Sequence, residues 1–389
     1  MRMKHCKLTV IFNVLMLVSS CSEEPAISSP SDSNPWGRIE AFDLYVAAPE
    51  DVLDLIEAPS EITEWHFFGV AAQSILAWLA DAGLSPSRFS ELSPSRWIHL
   101  AGHVVIVPSK EAVLAIKAQK RLRFYRILGR WEANETQQSP AYFPSAGLAQ
   151  WFAGSGLPDS YLKLIERLVY SENGLSFFAD VSLLVGLADS AQEEKAILRL
   201  LSRRHTVIAR LKISNPSNLK SVVDYWEEGR RRSELHPLLE SIIDGDGADW
   251  IDVAHLLPPT PRRVLNRFPV LQDGRRGRFP DASWTAFNFF KGLPTDLYTD
   301  SPNLLGYLHN HYHQVGEGKA TQFGDLIVLK KEGNENPIHI CNYVADQFVY
   351  SKHGPEPTEP WAIRRMNEVL GLYFGEGETP VIERWHLRH

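Results

Sequence analysis

Between Asp281 and Ser351 the hydrophobic period changes from three or four residues to two, and this switch constrains the fold more than any other feature. Ser283 to Lys291 carries Trp284, Phe287 and Phe290 at three-residue spacing, which predicts a helix. Phe323 to Leu329 reads as a turn running into a buried strand. Ile338 to Val344 and Gln347 to Tyr350 read as two further strands joined by a hairpin at Ala345-Asp346. A helix followed by a strand meander predicts an α+β domain, placed at residues 262–375, with 376–389 as a tail.

Upstream, residues 39–255 are expected to form a mainly helical domain with a few strands. Glu61 to Gly83 has Trp65, Phe68, Ala72, Ile75, Leu76 and Leu79 at helical spacing, and His103 to Val107 is a β-branched run stopped by Pro108. Lys110 to Trp131 predicts one long helix. Its basic residues, Lys117, Lys120, Arg121, Arg123, Arg126 and Arg130, read as a solvated face or as a contact for anionic lipid or glycan. Tyr161–Tyr170, Gln192–Ser202 and Leu219–Glu228 are expected helices, and Thr206 to Ile213 alternates like a strand. Asn215-Pro216 suits a helix start, and residues 262–278 form an arginine-rich connector.

The first residues read as an export signal. Arg2, Lys4 and Lys7 precede an apolar run, Leu8 to Val18, broken by Thr9 and Asn13. That run is shorter than the roughly 20 apolar residues a membrane-crossing helix needs. Leu17-Val18-Ser19-Ser20-Cys21 resembles the bacterial lipobox, which implies a signal peptide over 1–20, an acylated Cys21 and a lipid bilayer as partner. Residues 21–38, rich in Ser, Pro and acid, are expected to be a disordered tether. The expected location is the periplasmic side of a bacterial envelope, on the outer rather than the inner membrane. Of three cysteines, Cys341 alone would remain as a free thiol. Removing Arg2, Lys4 and Lys7 lowers the net charge from -7 to -10, which argues against nucleic acid as a partner.

The C-terminal segments resemble the NlpC family of bacterial cell-wall cysteine peptidases, within the papain-like superfamily. Asp281-Ala282-Ser283 stands where that family has Asp-Cys-Ser at a helix start. Gly324-Asp325-Leu326 matches its Gly-Asp-Leu turn into a strand, and His339-Ile340-Cys341-Asn342-Tyr343-Val344 matches its histidine strand. Tyr350 or Ser351 takes the place of the residue that orients the histidine. The resemblance implies a cleft in which a cysteine thiolate attacks an amide and the histidine protonates the leaving amine. Here alanine stands in the nucleophile's place, and losing a nucleophile from such a unit costs on the order of 10⁶ in turnover. The expectation is therefore a vestigial site at Ala282, His339, Tyr350 and Ser351. Ser283, Trp284 and His339 would line a cleft that binds a peptide, a peptidoglycan stem or an envelope protein without cutting it.

Two alternatives keep an activity. Cys341 would share a strand face with His339 and could act as a displaced nucleophile, although a small buried core residue is the simpler role. His309, His311 and His313 form the chain's one histidine cluster and suggest a metal. A purely structural lipoprotein is the third alternative. Nothing in the sequence calls for a cofactor.

Overall fold

The computed structural model describes residues 34–56, 59–213, 219–227, 235–245, 249–270, 279–296, 304–316 and 318–388. Cys21, Asn215-Pro216 and Arg275, Arg276 and Arg278 of the connector lie outside the described residues. The class is α+β, as the sequence pattern predicts.

Three small antiparallel sheets lie in the N-terminal part. Strand β1 (Arg38–Val46) pairs with β8 (Arg204–Lys212), and β8 pairs with β9 (Trp250–Asp252). β2 (Trp65–Phe68) and β3 (Ile98–Leu100) flank β4 (His103–Ile106). β5 (Ala141–Pro144) and β6 (Tyr170–Glu172) flank β7 (Leu175–Phe178). The helix Asp159–Leu168 shows why helices cover these sheets. Tyr161, Leu164, Ile165 and Leu168 recur on one face, and all four are buried.

Two expected helices turn out differently. The segment from Glu61 contains β2 before the helix Ala72–Asp81. Trp65 and Phe67 are fully buried while His66 and Phe68 face outward, a period of two set by pairing with β4. Gly69, at φ +64°, separates the strand from the helix. Lys110 to Trp131 is two helices, Lys110–Ala115 and Ala118–Leu128, because Ile116 and Lys117 are extended at ψ 119° and 149°. Arg121 explains the break. Its fully buried guanidinium donates to Val113 O at 2.8 Å and Leu168 O at 2.8 Å, satisfying carbonyls at the ends of two helices. Its Nε lies 3.6 Å from the Asp180 carboxylate.

The C-terminal part is a six-stranded antiparallel sheet of order β10-β15-β11-β12-β13-β14. Its strands are Tyr312–Gln314, Leu326–Lys331, His339–Ala345, Phe348–Ser351, Ala362–Arg365 and Pro380–Leu387, numbered β10 to β15 along the chain. The helix Ala282–Phe287 packs on one face, where Ala286 and Phe287 meet Leu326, Val328 and Ile340. The helix Met366–Tyr373 packs on the other, where Val369 meets Ile327, Leu329, Cys341 and Val349. The segment around β8 and β9 shares a core with the C-terminal part: Val207, Leu211, Trp226 and Leu257 join Trp284, Phe323 and Trp361.

Candidate functional site

Asp281 starts the helix Ala282–Phe287 as its N-cap. Its Oδ1 accepts the Trp284 N–H at 2.8 Å, and its carbonyl accepts the Thr285 hydroxyl at 2.7 Å. Trp284 is buried against Trp361, with ring centroids 5.7 Å apart, and its indole N–H points to Asp296 Oδ1 at 3.4 Å. Trp284 is therefore a core residue. Ser283 is half-buried, and the half-buried Ala282 methyl packs on the Ala286–Phe287–Ile340 cluster.

Alternation along β12 then decides what faces that helix. Ile340 and Asn342 point toward it, and Asn342 Nδ2 donates to Ala286 O at 3.2 Å. His339 and Cys341 point to the opposite face, where His339 pairs across the ladder with Leu329 and Cys341 with Ile327. Ala282 and His339 thus lie on opposite faces of the sheet. The cleft expected between Ser283, Trp284 and His339 is not built.

His339 sits in a buried polar cluster of its own. Its Nε2 is 2.9 Å from Ser351 Oγ. Tyr350 faces the other way, its hydroxyl donating to Pro261 O at 3.1 Å. The His339 ring stacks on Tyr373 at 4.4 Å and on His353 at 5.0 Å, and His353 Nδ1 is 2.9 Å from the Tyr373 hydroxyl. Burial, reinforced by the Arg364 guanidinium, pushes the His339 imidazole down to about 3 and drives His353 well below its usual value. Both rings are neutral, and neither is poised as a general base near neutral pH.

The displaced-nucleophile reading of Cys341 does not fit its surroundings. The side chain is fully buried in the apolar cluster under Met366–Tyr373, and burial pushes the thiol well above its ordinary range. The metal reading of His309, His311 and His313 fails for a different reason. The helix Leu304–His311 ends before His313, which lies on β10, so the three side chains diverge. His309 rests on Trp385, His311 on Tyr307, and His313 beside His386. Among the described residues no group of three His, Cys, Asp or Glu could hold a metal ion.

The site that the fold does build is a cavity of about 1000 Å³ where the N-terminal part meets the C-terminal helix and the loop after β13. Gly371 allows the close approach: a Cβ there would come within 2.7 Å of Asn173 O in the β6–β7 turn. Asn173, at φ +49°, returns a hydrogen bond from its Nδ2 to Phe374 O at 2.6 Å. At the inner end, Glu359 accepts from Arg204 Nε, from the Tyr142 hydroxyl at 3.0 Å and from Arg364 Nη2 at 3.5 Å. The Arg204 guanidinium also lies 5.0 Å over the Tyr142 ring. His353 and Tyr373 line the same end. Farther out, Arg126 pairs with Glu172, and Lys331 with Glu378 at 2.9 Å. Beside this end, burial lowers the Lys352 amine to about 8, and that amine donates to Gly354 O at 2.8 Å and Glu356 O at 3.1 Å.

The cavity is not legible in the sequence, because its parts are dispersed along the chain. Tyr142 and Glu359 are 217 positions apart, and Arg204 and Glu359 are 155 apart. The one local signal was the Lys352-His353 pair directly after Ser351. No protein-family model matches the chain, and no curated protein or solved structure shows significant similarity to it.

Proposed function

We propose that this chain is a lipid-anchored envelope protein that binds a peptide in the cavity beside Tyr142, Arg204, His353 and Glu359 without cutting it. The peptide would come from a cell-wall stem or from an envelope protein. The observation that carries the reading is the cavity itself: large, walled by tyrosines and paired charges, with its histidine neutral and tied to Tyr373. The reading keeps the non-catalytic role suggested by Ala282 and moves the binding place to the opposite face of the sheet. The anchor rests on the signal-like start and Cys21. Among the described residues no helix is long and apolar enough to cross a membrane.

The test is calorimetric titration of the folded part with short peptides, each sample then examined by mass spectrometry. Saturable binding that is lost on Gln138→Trp, which fills the mouth, supports the reading; intact peptide at the end supports its non-catalytic part. Binding untouched by Gln138→Trp, or His339-dependent cleavage, refutes it. Incorporation of labelled palmitate, lost on Cys21→Ser, tests the anchor.

A further inference from the structure

The β1–β8–β9 sheet turns one face to the core and one outward. Ile39, Ala41, Val207, Ala209, Leu211 and Ile251 point into the core shared with Trp226 and Trp361. The alternate residues stand on the other face, in rungs set by the register. Arg38, Lys212 and Trp250 form one rung, Glu40, Arg210 and Asp252 the next, and Phe42 lies opposite Ile208 beyond them. The Arg210 guanidinium lies 4.6 Å from the Phe42 ring centroid and 5.1 Å from that of Trp250, and the Lys212 amine lies 5.6 Å from the Trp250 centroid. Phe42 is 45% exposed. Both carboxylates of the face are engaged, Glu40 by Arg38 at 3.5 Å and Arg210 at 3.3 Å, and Asp252 by the Ala254 N–H at 2.8 Å.

The position of this face along the chain says what covers it. The chain enters the described fold at Asn34, and Trp36 fixes the entry: its carbonyl accepts the Trp226 indole N–H at 3.0 Å, and its ring packs edge-on against Tyr225 at 5.7 Å. Two residues later Arg38 opens the first rung. Residues 22–33, between Cys21 and the fold, span at most about 40 Å when fully extended, so an acylated Cys21 holds this end of the sheet within that reach of the bilayer. We infer that the outward face of the β1–β8–β9 sheet lies on a bilayer surface containing anionic phospholipid, with Trp250 and Phe42 at headgroup depth and Arg38, Arg210 and Lys212 against the phosphates. Tryptophan suits that depth because its ring is amphipathic. Each lysine or arginine close to an anionic leaflet adds an attraction that salt screens. The inference rests on the proposed anchor at Cys21, and the contact adds to what the acyl group alone provides.

The experiment couples the chain from Cys21 onward, through the Cys21 thiol, to a maleimide lipid in vesicles of phosphatidylglycerol and phosphatidylethanolamine. Cys341 is fully buried, so Cys21 is the thiol that reacts. Quenching of tryptophan fluorescence by brominated acyl chains is then measured. Trp250→Phe should remove about half of the quenching or more, and Phe42→Trp, at an exposed position, should increase it. Arg38→Gln/Lys212→Gln, high salt, or omission of phosphatidylglycerol should each lower it. Quenching unchanged by both Trp250→Phe and Phe42→Trp overturns the inference, because another face then meets the lipid; so does absence of quenching. Chemical coupling makes this result independent of acylation in cells. Quenching that follows the expected pattern in a protein that incorporates no palmitate would overturn the anchor and leave the lipid affinity of the face standing.

Discussion

Gly324→Ala should destabilise the C-terminal part by more than backbone conformation alone can explain. Gly324 sits at φ +83°, where an L-residue costs roughly 1–2 kcal/mol. A Cβ there would also lie 2.1 Å from Phe290 Cζ and 2.3 Å from Cε2. Phe290 is half-buried, and swinging its ring away would cost the edge-on contacts with Phe289 at 5.1 Å and Phe323 at 6.1 Å. Overpacking of that kind adds about 1–3 kcal/mol, for a total of roughly 2–5 kcal/mol. Gly333→Ala is the control. It has φ +74° with nothing within 4 Å, so it should carry only the conformational part. Urea unfolding followed by tryptophan fluorescence measures both, with Trp284 and Trp361 reporting on this core. A Phe290→Ala/Gly324→Ala cycle should then show a coupling of at least about 1 kcal/mol. If Gly324→Ala costs no more than Gly333→Ala, the ring is free to move and the steric account is wrong.

The pH dependence follows from His339, whose folded value is lowered to about 3 by burial and Arg364. Between there and about 6.5 the unfolded chain holds a proton that the folded chain does not, so stability is full above that window and falls as pH drops through it. One such group gives a slope of about 1.4 kcal/mol per pH unit; His339→Gln should flatten the urea-derived stability between pH 6.5 and pH 4 by that amount, and an unchanged slope would contradict neutral burial. His353 acts in the same direction. Glu359→Ala strips the shared carboxylate from Arg204 and Arg364 and should cost about 3–5 kcal/mol, measured by the same unfolding titration. In a chain beginning at Asn34, Cys341 is the sole cysteine; its native thiol should react with a disulfide reagent on the order of 10³-fold slower than in urea, and rapid native labelling would refute its burial.

Much of the fold was legible because it depends on local periodicity. Tyr161, Leu164, Ile165 and Leu168 announce their helix; β4 announces itself by a β-branched run, β8 by alternation, and β11, β12 and β13 by short apolar runs bounded by turn residues. What stayed hidden was set by tertiary partners. Trp65 fits a helical stripe with Phe68 equally well as a strand with Phe67, and pairing with β4 selects the strand. Arg121 belongs to a basic run that reads as solvated, yet helix-end carbonyls draw it fully inside.

The peptidase-like motifs show the same division at a finer scale. Each one has a structural occupation: Asp281 caps a helix, Gly324 lets Phe290 lie against the backbone, and Asp325 accepts the Gln322 N–H at 2.8 Å and lies 2.7 Å from His386 Nδ1. Spacing along the chain establishes their order but not the face of the sheet each side chain reaches. On a strand that is settled by a single residue of register, since successive side chains alternate. Had the histidine occupied position 340, it would have faced the helix that begins at Ala282. At 339 it turns instead toward Ser351, Tyr373 and His353, beside the cavity. Ala282→Cys, under this geometry, gains a thiol on the face of the sheet opposite His339. Incubated with cell-wall peptides and read by mass spectrometry, it should release nothing, whereas cleavage would mean that another residue on the Ile340–Asn342 face supplies the base.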